Sequence, residues 1–587
     1  MDWLKEDGYT HCFFVGGGNV MHLLEAASRR FECVAVVHEV AAGIAAEYFN
    51  DMNSKNEKAF ALVTAGPGLT NIVTAVGGAF LESRELLVVG GQAKTTDLSR
   101  GTVPQIGHQE IDGVGIVGPI TKKAVLADRR LSKSEVLRLT RLSRTGRKGP
   151  VFIEMCLDVS AMPPIPEDSR RLNEVKNLTA PDARDLERIV KLVNAAKRPL
   201  ILIGGGVDRL HGKNVISAFE KIGFPLATTW NGFDRVSSEY DFYAGRPNTY
   251  GMRWANIINQ SADLVIAVGT RLGIQQIGFA WEDYVAHGKV VQVDIDSQEL
   301  NKGFPNIELG ISCDAVTFLE ALYKEIGTVE ISTEWQTYIQ EIRTKLDRPD
   351  AANVAGDGYI ELHSFIRELS LRLDSDDVIV PCSSGGTFNA VMQMFKQKGN
   401  QIVTTDKSLA SMGYGLSGAI GAAIANPDRR TILMEGDGGF AQNLQELGTV
   451  KVQKLNLKMF IFSNKGYASI RTTQKAYFND NYVGCDEETG LGLPEWKQLF
   501  QAFGIGVQDI YSSNVWDSEM LSALSGSGSQ AFIIHLDPEQ LFYPKITSRV
   551  LSDGTMKTNP LHLMSPPLDD EMAEFAFRYL PATSWKI

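Results

Sequence analysis

The chain has 587 residues, enough for three or four domains, of which 44% are apolar and 22% charged. Fifty-eight Lys and Arg against 70 Asp and Glu leave a net charge of −12, and an acidic chain without a basic block lacks the clustered cations on which nucleic-acid affinity rests. No apolar run reaches the roughly 18–20 residues needed to cross a bilayer, the opening MDWLKEDGYTHCFF carries no secretory signal pattern, and six widely spaced cysteines without a CxxC pair fit reduced thiols in a cytoplasm.

In chain order, short β-branched runs alternate with longer amphipathic stretches. VAVVH (34–38), AFALVT (59–64) and LLVVGG (86–91) come first, then PLILIGGG (199–206), DLVIAVG (263–269) and KVVQVDID (289–296). DVIVP (377–381), TILMEGDG (431–438), KMFIFSN (458–464) and AFIIHL (531–536) close the series. Continuous apolar runs of this length predict parallel strands covered by helices on both faces, an α/β class. Two polar, proline-bearing stretches, MPPIPEDSRRLNEVKN (162–177) and TKLDRPDAANVAGDG (344–358), read as linkers. They divide the chain into 1–165, 180–335 and 355–540, followed by a tail, 541–587, with little strand pattern.

Within the first division, VAVVHEVAAGIAAEYF sets Glu39 where a strand gives way to a helix. Read alone, such a carboxylate is a helix-dipole partner. TAGPGLTN (64–71) is, by itself, a turn signal. The most informative stretch is TILMEGDGGFAQNLQELGTVKVQKLNLKMFIFSNKGY in the third division. TILMEG reads as a strand ending at Asp437, residues 440–454 as an amphipathic helix, and KMFIFS as the next strand, ending at Asn464. A helix of about 15 residues rises about 22 Å and six strand residues span about 20 Å, so the helix returns the chain to the start of a neighbouring parallel strand. Asp437 and Asn464 then emerge together at the carboxyl edge of the sheet, where open α/β sheets bind ligands. One carboxylate and one amide oxygen suit Mg²⁺, which takes its remaining hard oxygens from phosphates and water. The Gly466 carbonyl supplies a third candidate ligand. Gly436, Gly438 and Gly439 let the chain approach a diphosphate closely, and the following helix offers its positive N-terminus. The bland alternative is a GDG turn and an asparagine at a strand end.

GDG followed after 25 residues by Asn resembles the thiamine-diphosphate fingerprint, and the whole chain is similar to the acetohydroxyacid (acetolactate) synthase branch of thiamine-diphosphate enzymes. The resemblance implies three doubly wound parallel-sheet domains: pyrimidine-binding, a middle Rossmann-like domain that in some members holds FAD, and diphosphate-binding. It implies thiamine diphosphate and Mg²⁺ as cofactors, FAD as a further one, and a homodimer or homotetramer with sites at the subunit interface. Glu39 matches the glutamate that hydrogen-bonds N1′ of the aminopyrimidine and so activates the cofactor, work that a buried carboxyl of raised pKa suits. Gly66, Pro67, Gly68 and Asn71 match the loop beneath the cofactor. Gly385, Gly386 and Thr387 fall where the family cradles the diphosphate, although the Gln-His usual after that glycine is missing. DKSLASMGYGLSGAIGA (406–422) matches the segment with the hydrophobic wedge. Met412 is the wedge by position, or a buried core Met, and the Ala410 carbonyl accepts the 4′-amino hydrogen.

Further matches concern what the activated cofactor attacks. Gln109, in GTVPQIGHQEIDGVGIVGPITK (101–122), matches the glutamine over the reacting centre. His108 replaces a common Phe and reads either as an acid–base group or as an idle exposed histidine. Thr473 stands where acetohydroxyacid synthases place a Trp, and the loss of about 150–250 Å² of aromatic surface opens the pocket to a larger acceptor. In the middle domain Arg271 matches an arginine near the flavin phosphates, and Gly205, Asp294 and Asp314 match dinucleotide-contacting positions. The expected activity is decarboxylation of a 2-keto acid, pyruvate, with transfer of the acyl-anion unit to a carbonyl acceptor. The alternatives are acetyl transfer to a nucleotide-linked keto-deoxysugar, which GYASIR, GRPNTYGMRWAN and NPLHLMSPP favour, and hydrolysis of a dicarbonyl C–C bond.

Overall fold

The computed structural model describes residues 1–53, 55–165, 179–550 and 554–586; most of the first expected linker, 162–177, lies outside them. The first sheet holds β1 (Tyr9–Phe14), β2 (Glu32–Ala35), β3 (Lys58–Val63), β4 (Leu86–Gln92), β5 (Lys123–Ala127) and β6 (Pro150–Cys156), in the order β2-β1-β3-β4-β6-β5. All its pairs are parallel. The central β4 is buried along its whole length, as a strand covered on both faces must be, and its apolar run follows from that. Helix α1 (Glu39–Met52) follows β2 and α2 (Pro67–Glu82) follows β3.

The second sheet comprises β7 (Pro199–Ile203), β8 (Leu226–Thr228), β9 (Leu264–Val268), β10 (Lys289–Asp294) and β11 (Leu309–Ser312), ordered β11-β10-β9-β7-β8 and again parallel. After it come α3 (Ala315–Ile326) and α4 (Thr333–Leu346). The expected second linker therefore begins inside α4, whose C-terminal turn takes up Thr344–Leu346 before the chain loses helical form.

The third sheet, also parallel, contains β12 (Val378–Pro381), β13 (Ile402–Val403), β14 (Thr431–Gly436), β15 (Leu457–Ser463), β16 (Gly506–Ile510) and β17 (Gln530–His535), in the order β13-β12-β14-β15-β17-β16. Its helices include α5 (Gly385–Met394), α6 (Tyr414–Ala425), α7 (Leu447–Gln453) and α8 (Ala468–Tyr477). The crossover expected as one helix over 440–454 is broken. A short turn of α-helix at Asp437–Phe440 passes into 3-10 form over Ala441–Glu446, where Asn443 leaves helical φ/ψ, before α7 begins. Asn443 spends its side-chain amide on the Gly413 carbonyl at 2.8 Å, a tertiary bond that competes with regular helix.

The first and third sheets belong to one compact unit; the second sheet and the residues after 535 belong to another. In the first unit α1 and α6 pack closely because small residues face each other: a Cβ on Gly418 would overlap the Tyr48 ring, and one on Gly421 the Ala45 carbonyl. In the second unit the tail is more structured than its sequence suggests. Lys545–Ile546 pairs with Met564–Ser565, Ser548–Val550 pairs with Met556–Thr558, and α9 (Asp570–Ala576) follows. Leu561, Ala573, Ala576, Phe577 and Leu580 join the core built on the second sheet. No helix among the described residues is long and apolar enough to cross a membrane.

Candidate active site

The β14–β15 register pairs Gly436 with Phe462, so the next residues, Asp437 and Ser463, leave adjacent strands level with each other. Asp437 is 1% exposed. Its Oδ2 accepts the Ser463 hydroxyl at 3.2 Å and the N–H groups of Asn464 and Lys465 at 3.1 and 3.0 Å, while Oδ1 accepts the Gly438 N–H at 2.8 Å. Burial pushes the Asp437 carboxyl up to about 6 against the pull of these donors. Beside it, Asn464 Oδ1 is buried with no hydrogen-bond partner. A buried acceptor without a donor is unfavourable, and it belongs to the residue whose backbone N–H binds the buried Asp437 carboxylate. A hard divalent cation satisfies both, so the pair fits Mg²⁺. Among the described residues no cluster of three or more His, Cys, Asp and Glu could hold a metal, which leaves the remaining ligands to come from elsewhere.

The loop beyond Asn464 is tied down twice. Tyr467 N–H donates to the Cys485 carbonyl at 2.8 Å, and buried Arg471 donates Nη2 to the Asn464 carbonyl at 3.1 Å. Gly466 bridges to Asp486 at a φ of +146°. A Cβ on Gly438 would overlap the Tyr467 ring; the glycine is required there for this close approach. Thr473 lies on α8 with its side chain exposed and its Oγ1 donating to the Ser469 carbonyl at 3.0 Å.

The diphosphate candidates gather nearby. Gly385 and Gly386 open the ten-residue α5, Thr387 is buried, and the nearest neighbour to a Cβ on Gly436 is Thr387 Oγ1 at 3.6 Å. Nothing would meet a Cβ on Gly385 within 4 Å, so the N–H end of α5 faces open space suited to an anion. The Ser383 hydroxyl donates to the Ser411 carbonyl, which joins this cradle to the loop with exposed Ala410 and half-buried Met412. Gln442 Nε2 lies 3.8 Å from Met412 Sδ.

Glu39 opens α1, 8% exposed, and Asn71 Nδ2 donates to its Oε2 at 2.9 Å. Asn71 thus works through its side chain on Glu39. Gly66 caps α2 at φ +62°, ψ −106°, a conformation open only to glycine, and Pro67 and Gly68 begin the helix. A Cβ on Gly66 would come within 2.7 Å of the Gln109 carbonyl, so the Gln109 loop rests on this turn. Gln109 itself has φ +60°, and His108 is exposed. Glu110 explains why the loop keeps this form. Its carboxylate accepts N–H groups from Ser99, Ile106 and Gly107; burial pushes its pKa upward, but these donors outweigh it and hold the group at about 2.

The middle-domain residues reach one edge of the second sheet: Gly205, Arg271, Asp294 and Asp314 follow or end β7, β9, β10 and β11 in turn. The strand order reverses between β7 and β9, and such a switch point is a ligand crevice. The Asp314 carboxylate is engaged in capping α3, accepting Thr317 N–H at 2.9 Å, and Asp294 Oδ1 accepts the Asp296 N–H at 2.9 Å. On this edge Gly205 is exposed and Arg271 half-buried, and both carboxylates are engaged.

Several contributors escaped the sequence reading. Glu446 accepts the N–H groups of Val37 and His38 at 3.1 and 3.0 Å, fixing the approach to Glu39 from the third domain. Glu110, Asn443 and Arg471 brace the Gln109, Met412 and Asn464 loops. The QE pair at 109–110 is the one visible signal; the others act across distances in sequence that no local pattern reveals.

Residues 1–116 match the family model for the thiamine pyrophosphate enzyme N-terminal TPP binding domain, residues 186–322 that for the central domain, and residues 384–534 that for the C-terminal TPP binding domain. The chain is 26% identical over 550 residues to the acetolactate synthase isozyme 1 large subunit of Escherichia coli (strain K12), covering 93% of this chain and 94% of that one. It is 27% identical over 557 residues to the isozyme 2 large subunit of the same organism (92% and 96% covered). It is 28% identical over 524 residues to the acetolactate synthase large subunit of Cyanidium caldarium (87% of each).

Proposed function

Because the chain belongs to the thiamine pyrophosphate enzymes, we propose that it decarboxylates pyruvate and joins the acyl unit to a carbonyl acceptor, in the manner of acetolactate synthases. The observation that carries the reading is the unpartnered Asn464 Oδ1 on the residue whose backbone N–H binds buried Asp437, a half-built cation site. When bound, thiamine diphosphate supplies the carbon nucleophile and the electron sink that decarboxylation requires. Asp437, Asn464 and the Gly466 carbonyl hold Mg²⁺, and the 385–387 and 436–439 segments hold the diphosphate. Glu39, steadied by Asn71, exchanges a proton at the pyrimidine nitrogen N1′. Gln109 would orient the substrate, the Ala410 carbonyl would accept from the 4′-amino group, and the Met412 side chain would pack against the cofactor. His108, exposed, has no partner that assigns it a proton-transfer task.

A second reading concerns the acceptor. Exposed Thr473, in place of a bulky aromatic, favours a substrate larger than a small keto acid, such as a nucleotide-linked keto-deoxysugar. FAD, where carried, rests on the Gly205, Arg271, Asp294 and Asp314 edge as a structural group. We place the protein in the cytoplasm as a homodimer or homotetramer whose subunits complete each other's sites. All six cysteines are free, and exposed Val37, Val103 and Ile106 near Glu39 and Gln109, with Ile470, Tyr477 and Phe478 beyond Asn464, leave apolar rims that a second subunit covers.

The test is a titration with thiamine diphosphate with and without Mg²⁺, followed by pyruvate and a panel of keto acids, aldehydes and keto-sugars. The expected result is Mg²⁺-dependent binding, CO₂ release and a new C–C bond by NMR, with the visible spectrum reporting flavin. A diketone cleaved without CO₂ release would overturn carboligation in favour of hydrolysis.

A further inference from the structure

Helix α2 touches the candidate site at one end and grips part of it with the other. Gly66 caps it, Pro67 and Gly68 open its first turn, and Asn71 holds Glu39. Its last residue, Glu82, accepts through Oε1 the N–H groups of Lys407 and Ser408, both at 2.7 Å. Just beyond, Arg84 donates Nη2 to the Thr405 carbonyl at 2.6 Å and Nη1 to Glu47 Oε1 at 2.9 Å. Glu47 lies two turns along α1 from Glu39, fully buried, and its Oε2 accepts the hydroxyl of Tyr414, the first residue of α6, at 3.2 Å. Thr404 Oγ1 donates to Asp51 at 2.6 Å, and the Asp406 carboxylate accepts the Leu409 N–H at 3.1 Å. Space for this network exists because residue 78 is glycine; a Cβ there would overlap the Tyr414 hydroxyl.

The gripped segment, 404–409, leads directly into Ala410, a non-glycine residue at φ +54°. Such a conformation is unfavourable for a residue with a Cβ and persists only where the surroundings over-determine it. Ala410 is exposed, so the constraint reaches it through the backbone on either side. After it, the Ser383 hydroxyl takes the Ser411 carbonyl. Before it, Glu82 and Arg84 hold the backbone from the first domain, while within the third domain Asp406 holds the Leu409 N–H and the Thr405 hydroxyl donates to the Cys382 carbonyl.

We propose that Glu82, with Arg84 beside it, is a positioning residue for the reaction: its carboxylate fixes the Lys407 and Ser408 N–H groups while Arg84 holds the Thr405 carbonyl, and this sets the turn that presents the Ala410 carbonyl and Met412 to the cofactor. Part of the cofactor geometry of the third domain is then set by a helix end of the first. This inference rests on the cofactor roles of Ala410 and Met412 given above.

Two variants separate positioning from mere stability. In Glu82→Gln the amide oxygen still accepts both N–H groups; in Glu82→Ala nothing does. Amide hydrogen exchange of 405–412 is measured on the full chain without cofactor, and exchange of the thiamine diphosphate C2 hydrogen is measured on the loaded enzyme by NMR. Glu82→Ala is expected to speed loop exchange at least ~10-fold and to slow C2–H exchange at least ~10-fold, the scale on which a small misplacement acts, whereas Glu82→Gln stays within about 2-fold of wild type in both. Should Glu82→Ala not fold, Glu82→Asp, whose shorter carboxylate cannot span both N–H groups unchanged, is measured in its place with the same expected direction. Loop and C2–H exchange within about 2-fold of wild type in the Ala (or Asp) variant would overturn the proposal. A wild-type protein that fails to accelerate C2–H exchange would instead overturn the functional reading, and the loop measurement on the unloaded chain would still judge the grip of Glu82.

Discussion

Glu154 on β6 is 2% exposed, and Gln92 Nε2 donates to it at 3.0 Å. Burial pushes its carboxyl up to about 8; Gln92 and the Val114 N–H pull downward, and the charge of Asp112 adds to the rise. The folded chain therefore keeps a proton that the unfolded chain releases. The resulting stabilisation is full below the ordinary carboxylate range and is lost as pH rises to about 8. Glu154→Gln keeps an acceptor for Gln92 without the ionisation, so its melting temperature should match wild type near pH 5 and exceed it by at least ~2 °C at pH 8. Calorimetry at the two pH values checks this, and an unchanged gap would refute it. Residues of this kind were not legible in the sequence, because nothing local marks Glu154 as buried beside Gln92. The placement of Asp437 and Asn464 just past two strand ends was legible, since β14 and β15 end at Gly436 and Ser463; Glu39 was expected where a strand gives way to a helix, and it opens α1 four residues after β2 ends.

Among elements, the strands were the clearest. TILMEG and KMFIFS became β14 and β15 within a residue of expectation, because fully covered strands must be continuously apolar. VAVVH was overextended: β2 stops at Ala35, and the Val37 and His38 N–H groups turn to Glu446. The 3-10 segment before α7 had no signal either, since its cause is the bond from Asn443 to Gly413. The turn after β14 carries its own prediction. Gly438→Ala drives a Cβ into the Tyr467 ring, an overpacking that costs about 1–3 kcal/mol and moves the Asn464 loop. Mg²⁺-dependent affinity for thiamine diphosphate, measured by calorimetric titration, should fall at least ~10-fold. Gly448→Ala on α7, where the nearest neighbour of a Cβ is Phe503 at 3.7 Å, should leave it unchanged.

At the scale of the whole molecule, the tail completes the core of the second sheet. Phe577 and Leu580 are buried, the Tyr338 hydroxyl donates to the Ala576 carbonyl, and the Tyr338 and Tyr579 rings meet edge to face with centroids 4.9 Å apart. Each large side chain so buried contributes about 1.5–3 kcal/mol. Ending the chain at Pro567 removes α9 and all of these contacts, and should lower the melting of the unit built on the second sheet by at least ~5 °C; scanning calorimetry that finds no change would refute the docking. The α/β class, the long apolar strands such as β4, β9, β14 and β15 and the placement of Asp437 beside Asn464 follow from the sequence alone, because apolar runs and the reach of one crossover are decided by near neighbours. Only the tertiary structure decided that Glu82 holds Lys407 and Ser408, that Glu446 holds Val37, and that the tail joins the middle core. Those contacts join segments that packing alone brings together, and a buried charge or ring records its partner only after the chain has folded around it.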